Sequence, residues 1–253
     1  MRQVFLEFPW VHAPAPSAFL PLFHALGRYE KLEAGRAIYN GGTTGEVAYI
    51  LSGLCTYRTQ DARDREHYFT FVPANRLMGN VDAFTGNVVN VIDFALRPTE
   101  IFLMPRQLFL EHLAADPDLM QTHTRMLIRE HESDMEGLLS CASDPVEIRA
   151  ARLIAALVFR DECRASFSWE EAMPEAPVPV PYALTPTEIA RGVRATRTAV
   201  SLIMSRWERE GLLEVRDGVR LASPKLFRLL TDWLTSRGGP APKVAKSRRK
   251  AAS

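Results

Sequence analysis

The sequence predicts an α+β chain in three parts: an N-terminal β jelly roll, a long helix and a C-terminal winged helix-turn-helix. Three observations carry that prediction. Short β-type runs broken by glycine fill residues 33–104, an apolar stripe at three- and four-residue spacing runs through 120–142, and 184–221 reads as helix, turn, helix and hairpin. The three parts span 1–115 for the roll, 116–142 for the long helix and 143–235 for the helix-turn-helix unit, and a basic tail, 236–253, follows them.

Residues 1–34 carry Pro9, Pro14, Pro16 and Pro21 among aromatics, and the apolar segment 20–26 is expected to form a short helix. From Glu33 the texture changes to β-type runs at 33–39 and 47–57, separated by the glycines of 41–45. Strands this short, about ten residues apart with turn signals between them, point to a sandwich or jelly roll. Residues 67–72 and 88–96 continue it, 101–104 closes it, and 105–113 reads as a short helix.

Asp116-Pro117 is a strong helix start, with the carboxylate as cap and proline at the first position. Met120, Thr124, Leu127, Ile128, His131, Met135, Leu138 and Ala142 then share one side for about seven turns. A helix that long needs a partner. The small residues of 140–144 are expected as a hinge, and Pro145 opens another helix carrying Ile148, Leu153, Ile154, Leu157 and Val158. Pro174, Pro177, Pro179 and Pro181 make 166–182 a connector, because regular helix cannot run through that spacing of prolines.

Thr187, Glu188, Ile189 and Ala190 open the first helix of the C-terminal motif, Arg194 and Ala195 make its turn, and Thr196 caps the second helix with its hydroxyl. Val200, Ile203, Met204 and Trp207 form the buried face of that helix. Arg197, Thr198, Ser201 and Leu202 face the other way near its N-terminus, the part of a recognition helix that enters the major groove of double-stranded DNA. Gly211 stops the helix. Asp217-Gly218 then centres an alternating hairpin, in which Arg216 and Arg220 flank a wing placed to touch phosphate.

Composition agrees with that partner. Of the 253 residues, 47% are hydrophobic and 24% charged, as in ordinary globular chains, and the net charge is only +1. The balance is uneven. Residues 1–183 hold 16 Lys and Arg against 24 Asp and Glu, 184–235 hold 9 against 6, and the tail holds six basic residues and no acidic one. A basic C-terminal part on an acidic body is the footprint of a DNA binder. With no apolar run of about eighteen residues and no charged leader, a cytoplasmic protein without membrane contact is expected. Cys55, Cys141 and Cys163 are too few and too scattered for a disulfide framework, a zinc site or an iron–sulfur cluster.

The order Gly35, Ile38, Gly41-Gly42, Gly45, Tyr49-Ile50-Leu51-x-Gly53 and Gly79, followed by the helix-turn-helix, resembles the CRP/FNR superfamily of bacterial transcription regulators over residues 25–230. The resemblance implies a cyclic-nucleotide-binding-like jelly roll that senses a small-molecule effector, and a central helix that makes a homodimer. It further implies a palindromic operator and RNA polymerase as partners. Members that bind cyclic AMP hold it in a cassette resembling Gly-Glu…Arg-Ser-Ala. Aligned on Gly79 and Ala95, this chain places Asn80 at the glutamate and Val89-Asn90-Val91 at the Arg-Ser-Ala. Both ligand-holding charges are gone, so a cyclic phosphate would lose its charge-assisted hydrogen bonds and cyclic AMP is not expected to bind.

Val88, Val89, Val91 and Phe94 make the cassette apolar, which suits an apolar effector or a haem, or reads simply as strand core. A haem needs an axial ligand, and the candidates are His12, His24, His67, His112, His123, His131 and Cys55. His131, on the long helix, joins Asn80 and residues 88–91 as the expected effector pocket. In the helix-turn-helix the superfamily pattern Gly-x-Ser-Arg-Glu-Thr-Val-Ser-Arg meets Arg194-Ala195-Thr196-Arg197-Thr198-Ala199-Val200-Ser201-Leu202. Arg197 and Ser201 survive, whereas Thr198 and Leu202 replace two base-reading charges and Arg194 replaces the turn glycine. The leading function is therefore an effector-responsive DNA-binding regulator that is not an enzyme. Two other classes stay open, a ligand-binding or scaffold module with a decayed helix-turn-helix and a cupin-type metal enzyme, though no His-x-His pair supplies the latter's ligands.

Overall fold

A computed structural model describes residues 3–5, 7–42, 45–86, 89–161 and 173–236. Val88, the side chains of Val89 and Asn90, Cys163 and the tail beyond Ser236 lie outside the described residues. After α1 (Phe19–Leu26), eight strands follow between residues 28 and 105, with one helix among them: β1 (Arg28–Leu32), β2 (Ala37–Gly42), β3 (Glu46–Ser52), β4 (Leu54–Gln60), β5 (Glu66–Pro73), β6 (Arg76–Met78), α2 (Asn80–Thr85), β7 (Val89–Ala95) and β8 (Thr99–Pro105). They pair antiparallel in two four-stranded sheets, in the orders β1-β8-β3-β6 and β2-β7-β4-β5. This is the predicted jelly roll. Leu32, Ile50, Cys55, Val72, Met78, Ile101 and Leu103 fill one buried cluster of the roll, and Phe19, Phe23, Phe102, Phe109 and Met126 fill a second beneath the helices.

Strands β1 and β6 and helix α2 are absent from the sequence reading. β1 is Arg-Tyr-Glu-Lys-Leu, with only Leu32 buried, and it holds its place by pairing along β8 from Arg28↔Leu103 to Leu32↔Thr99. Backbone pairing, which leaves no trace in hydropathy, makes it a strand.

Helix α3 (Arg106–Ala115) leads into α4 (Pro117–Ser143), whose first amides are capped by the Asp116 carboxylate, 3.0 Å from both Asp118 N and Leu119 N. α4 buries His123, Met126, Glu130, Ser133, Glu136, Gly137 and Ser140 against its own chain. That face is mostly polar because it grips the N-terminal segment. Glu136 Oε2 accepts from Val4 N and Phe5 N at 3.1 and 2.9 Å, Ser133 Oγ donates to Phe8 O at 2.6 Å, and Arg129 Nε lies 2.7 Å from Glu7 Oε1. At Gly137 even a Cβ would come within 2.8 Å of Trp10 Nε1. The sequence-predicted stripe lies on the other side: Thr124, Ile128, His131, Leu138 and Ala142 are exposed.

The expected hinge at 140–144 needs correction. α4 stays helical to Ser143, and Asp144 is buried, taking Ser140 Oγ at 2.7 Å, Arg152 Nη1 at 2.8 Å and Trp233 Nε1 at 3.0 Å. Arg152 also donates to Glu136, so a buried carboxylate–guanidinium–carboxylate chain fixes the joint. Breaking such a buried pair by removing one partner is strongly destabilising, because a charge is left behind. Small residues were a hinge signal in sequence; here they complete the last turn of α4, with Ala142 and Ser143 exposed.

The C-terminal unit comprises α5 (Val146–Val158), β9 (Val178–Pro179), α6 (Pro186–Gly192), α7 (Arg197–Glu210), β10 (Leu213–Arg216), β11 (Val219–Ala222) and α8 (Pro224–Thr235). β11 pairs with β10 on one side and with β9, also missed in sequence, on the other. Its core of Leu153, Leu157, Ile189, Val200, Trp207, Phe227 and Leu230 continues into Phe8, Trp10, Tyr68 and Phe71 of the N-terminal part. No helix of the described residues is long and apolar enough to cross a membrane.

Candidate nucleic-acid interface and effector cavity

Helix α6 starts with a Thr185–Glu188 capping box: Glu188 N donates to Thr185 Oγ1 at 3.2 Å, and Thr185 N to Glu188 Oε2 at 2.6 Å. The Thr-x-x-Glu spacing was available in sequence as a start signal. The turn after α6 places Arg194 at φ +51°, a left-handed conformation that costs a residue with a Cβ of order 1 kcal/mol. Ala195 N donating to Ala190 O at 2.9 Å and Arg149 Nη1 donating to Val193 O at 2.6 Å hold the turn there.

Thr196 caps α7 by accepting from Ala199 N at 3.2 Å, as predicted. Val200, Met204 and Trp207 are buried and Ile203 partly so; Trp207 Nε1 donates to Glu147 Oε1 of α5 at 2.8 Å. Gly211, at φ +69°, ends the helix. Arg197, Thr198, Ser201, Leu202 and Ser205 line a shallow depression on the outer face, where Leu202 is 68% exposed. The wing turns at Asp217 and Gly218, both at positive φ as a tight hairpin requires.

The two wing arginines differ. Arg216 is exposed, its Nη2 2.5 Å from Glu214 Oε2. Arg220 is half-buried and donates from Nη1 to Leu184 O at 2.7 Å, with burial lowering its pKa. Its guanidinium ties the wing to the segment before α6.

The roll docks directly on this motif. Arg97 Nη1 and Nη2 lie 2.8 and 2.9 Å from the two oxygens of Glu188, Arg191 Nη2 is 2.5 Å from Glu66 Oε2, and Arg191 Nη1 donates to Tyr68 Oη at 2.9 Å. Gly192 is close-packed: a Cβ there would sit 2.7 Å from Phe71 Cε2. A cleft of about 940 Å³ between the β4–β5 hairpin and α6–α7 is lined by Asp61, Glu66, His67, Arg149, Arg194 and Arg197.

A second cavity, of about 350 Å³, lies where the roll, α4 and the N-terminal segment meet. Tyr57, Thr59, Phe69, Thr70, Val81, Asp82 and Val91 line it from the roll, with Asp134 from α4 and His12 from the N-terminal segment. Of the expected pocket residues, Val91 lines it and Asn80 sits behind it, buried and donating to Glu130 Oε2 at 3.2 Å. His131 does not line it, being on the exposed side of α4. His12 does. Its Nδ1 is 3.5 Å from Glu130 Oε1 and its Nε2 3.6 Å from Asp134 Oδ1. Burial alone would lower the His12 pKa, but the two carboxylates outweigh it and raise the pKa above 6.5. No local sequence signal joins His12 to a helix more than a hundred residues downstream.

Those residues do not fit a haem. His12 is the one candidate axial ligand lining the cavity, and each ring nitrogen already faces a carboxylate oxygen. Cys55 is buried in β4, its thiol pushed up to about 12 by burial. Among the described residues no group of three His, Cys, Asp or Glu is placed to hold a metal ion.

No family model and no curated sequence matches the chain. Solved structures do. FixK2 from Bradyrhizobium japonicum aligns over 81% of this chain and 97% of its own at 13% identity, with a TM-score of 0.66. The c-di-GMP responsive global regulator CLP from Xanthomonas campestris aligns over 82% and 99% at 18% identity, with a TM-score of 0.60. TTHA1359 from Thermus thermophilus, a transcriptional regulator of the CRP/FNR family, aligns over 81% and 98% at 18% identity, also at 0.60. The chain has the CRP/FNR fold. Jelly roll, long helix and winged helix-turn-helix stand in the order that the resemblance implied. At these identities the CRP/FNR fold is what the likeness carries.

Proposed function

We propose that the chain is a homodimeric, effector-responsive transcription regulator that binds a palindromic DNA operator through α7. The observation that carries this reading is the outer face of α7: Arg197, Thr198 and Leu202 are exposed at the N-terminal end of a helix whose other face is locked by Trp207, beside an exposed Arg216 on the wing. A helix so placed can enter the major groove while the wing lies along phosphate. The exposed stripe of α4, with Ile128 54% and Leu138 38% accessible, supports pairing with a second copy. Two recognition helices then read half-sites about one helical turn apart, with RNA polymerase as the downstream partner.

Among the described residues the cavity is lined by no lysine or arginine, which supports an effector other than a cyclic nucleotide. The reading assigns no catalytic role. Selection from a random DNA pool with the purified chain should enrich a palindrome, and binding should weaken steeply with salt. Enrichment of no sequence, with binding absent at low salt, would overturn the regulator reading in favour of a ligand-binding module.

A further inference from the structure

We propose that the 350 Å³ cavity takes a small organic cation, an amine carried on an apolar or aromatic body. The proposal rests on the regulator reading above and names the class of its effector.

Charge points one way. Asp82 and Asp134 line the cavity, Glu130 stands behind His12, and among the described residues no lysine or arginine faces it. The one fully buried guanidinium near by, Arg76, is committed elsewhere: Nε donates to His12 O at 3.0 Å and Nη1 to Ala74 O and Asp161 Oδ1 at 2.6 and 2.8 Å. An anionic ligand would meet Asp134 and Glu130, with His12, the cationic side chain lining the cavity, already shared between those two carboxylates. A cation would gain a counter-charge.

Orphaned polar atoms point the same way. Thr70 Oγ1 is buried without a hydrogen-bond partner in a residue that is 0% exposed, and Asp134 Oδ1 meets only His12 Nε2, at the long distance of 3.6 Å. Buried polar atoms are satisfied in nearly all native proteins, so such a set around a void calls for a donor from outside the chain. An ammonium group brings up to three donors and no acceptor, which matches a carboxylate and a hydroxyl oxygen. Tyr57, Phe69, Val81 and Val91 supply aromatic and apolar walls, with Thr59 and Gly79 completing the lining. Aromatic faces attract cations, and the volume is within the range of small-molecule sites.

The site also joins α4 to the roll. Asp134 lies on α4 and Thr70 on β5, next to Phe71, which packs on Gly192 at the end of α6. A cation held between Asp134 and Thr70 draws α4 toward the strand on which the helix-turn-helix rests.

Titration calorimetry of the full-length chain tests this with phenethylamine as the cationic probe and phenylpropionate as its anionic counterpart. Phenethylamine should bind and raise the melting temperature, phenylpropionate should not, and Asp134→Asn should weaken the amine by about tenfold or more. If Asp134→Asn does not fold, Phe69→Lys, which sets a fixed ammonium at the half-exposed mouth, should abolish amine binding instead. Silence toward phenethylamine up to about 10 mM, equal binding of phenylpropionate, or amine binding unmoved by these substitutions overturns the proposal. A gel shift without amine keeps the two readings apart. DNA binding with silent calorimetry sinks only the cation, and amine binding without DNA binding sinks only the regulator.

Discussion

Arg97 and Glu188, 91 residues apart, are joined by two parallel hydrogen bonds of 2.8 and 2.9 Å that tie the jelly roll to the first helix of the helix-turn-helix. Both side chains are partly shielded, at 27% and 13% exposure, so the pair is worth more than a surface salt bridge. Arg97 also donates to Ala183 O at 2.9 Å. Arg97→Ala should leave the fold intact but speed amide hydrogen exchange in α6 by about fivefold, corresponding to about 1 kcal/mol of lost docking. Exchange confined to its wild-type rate in α6 would show that docking does not depend on this pair.

Arg197 and Arg216 should separate two kinds of DNA contact. Arg197 follows the Thr196 cap and can meet guanine O6 and N7, a pairing that discriminates by about 1–3 kcal/mol. Arg216 sits at the end of the first wing strand, where its charge can reach phosphate. In binding-site selection Arg197→Ala should relax one symmetric position of each half-site, whereas Arg216→Ala should lower affinity for all sequences alike. A wild-type consensus from Arg197→Ala would move base reading to Thr198 and Ser201.

The exposed stripe of α4 predicts the oligomer. Ile128→Arg together with Leu138→Arg places two charges on the outward face without touching the polar face that holds the N-terminal segment. Light scattering should report monomers with an unchanged circular dichroism spectrum, and dimers in that double variant would place the interface elsewhere.

His123 predicts an acid-sensitive fold. Its ring is fully buried among Phe19, Phe84 and Phe109, at centroid distances of 5.8, 5.3 and 5.4 Å, and burial lowers its pKa from 6.5 to about 4. The folded value lies below the unfolded one, so the unfolded chain takes up the proton first. The contribution is complete above pH 6.5 and is lost as pH falls toward about 4, to the extent of roughly 3 kcal/mol. His12 acts with the opposite sign: its raised pKa gives stability that is full below pH 6.5 and fades as pH rises through the folded value. Thermal melts at pH 7 and 4.5 should differ less for His123→Leu than for the wild type, and an equal fall in both would exonerate His123.

The helix-turn-helix was legible because each of its signals is local. A capping threonine, an apolar face at helical spacing and an Asp-Gly turn each sit within a few residues of the structure they specify. The roll was legible as a class and not strand by strand, since β1 and β6 exist through pairing with distant partners. α4 was legible in its ends but its two faces carry different meanings. The apolar stripe marks the side turned outward, while the side buried in the chain is written in Glu130, Ser133 and Glu136 and reads as solvent-facing to any hydropathy rule. The cavity was the least legible part. It is assembled from His12, Asp134, helix α2 and three strands, and only Gly79 and Val91 came from the positions that the superfamily pattern singles out.

The N-terminal segment has a consequence for how the chain is made. The partners of Val4, Phe5, Glu7 and Phe8 on α4 lie 122 to 132 residues downstream. Synthesis at about 5–20 residues per second puts on the order of ten seconds between a residue's emergence and that of its partner. For that interval Phe8 and Trp10 have no α4 to lie against, while the strands of the roll are already being delivered. The roll and this segment therefore cannot finish together. Residues 4–8 gain their α4 partners only when a helix encoded after the roll arrives, so a ribosome stalled before Glu136 holds a roll whose first residues lack the Glu136 carboxylate.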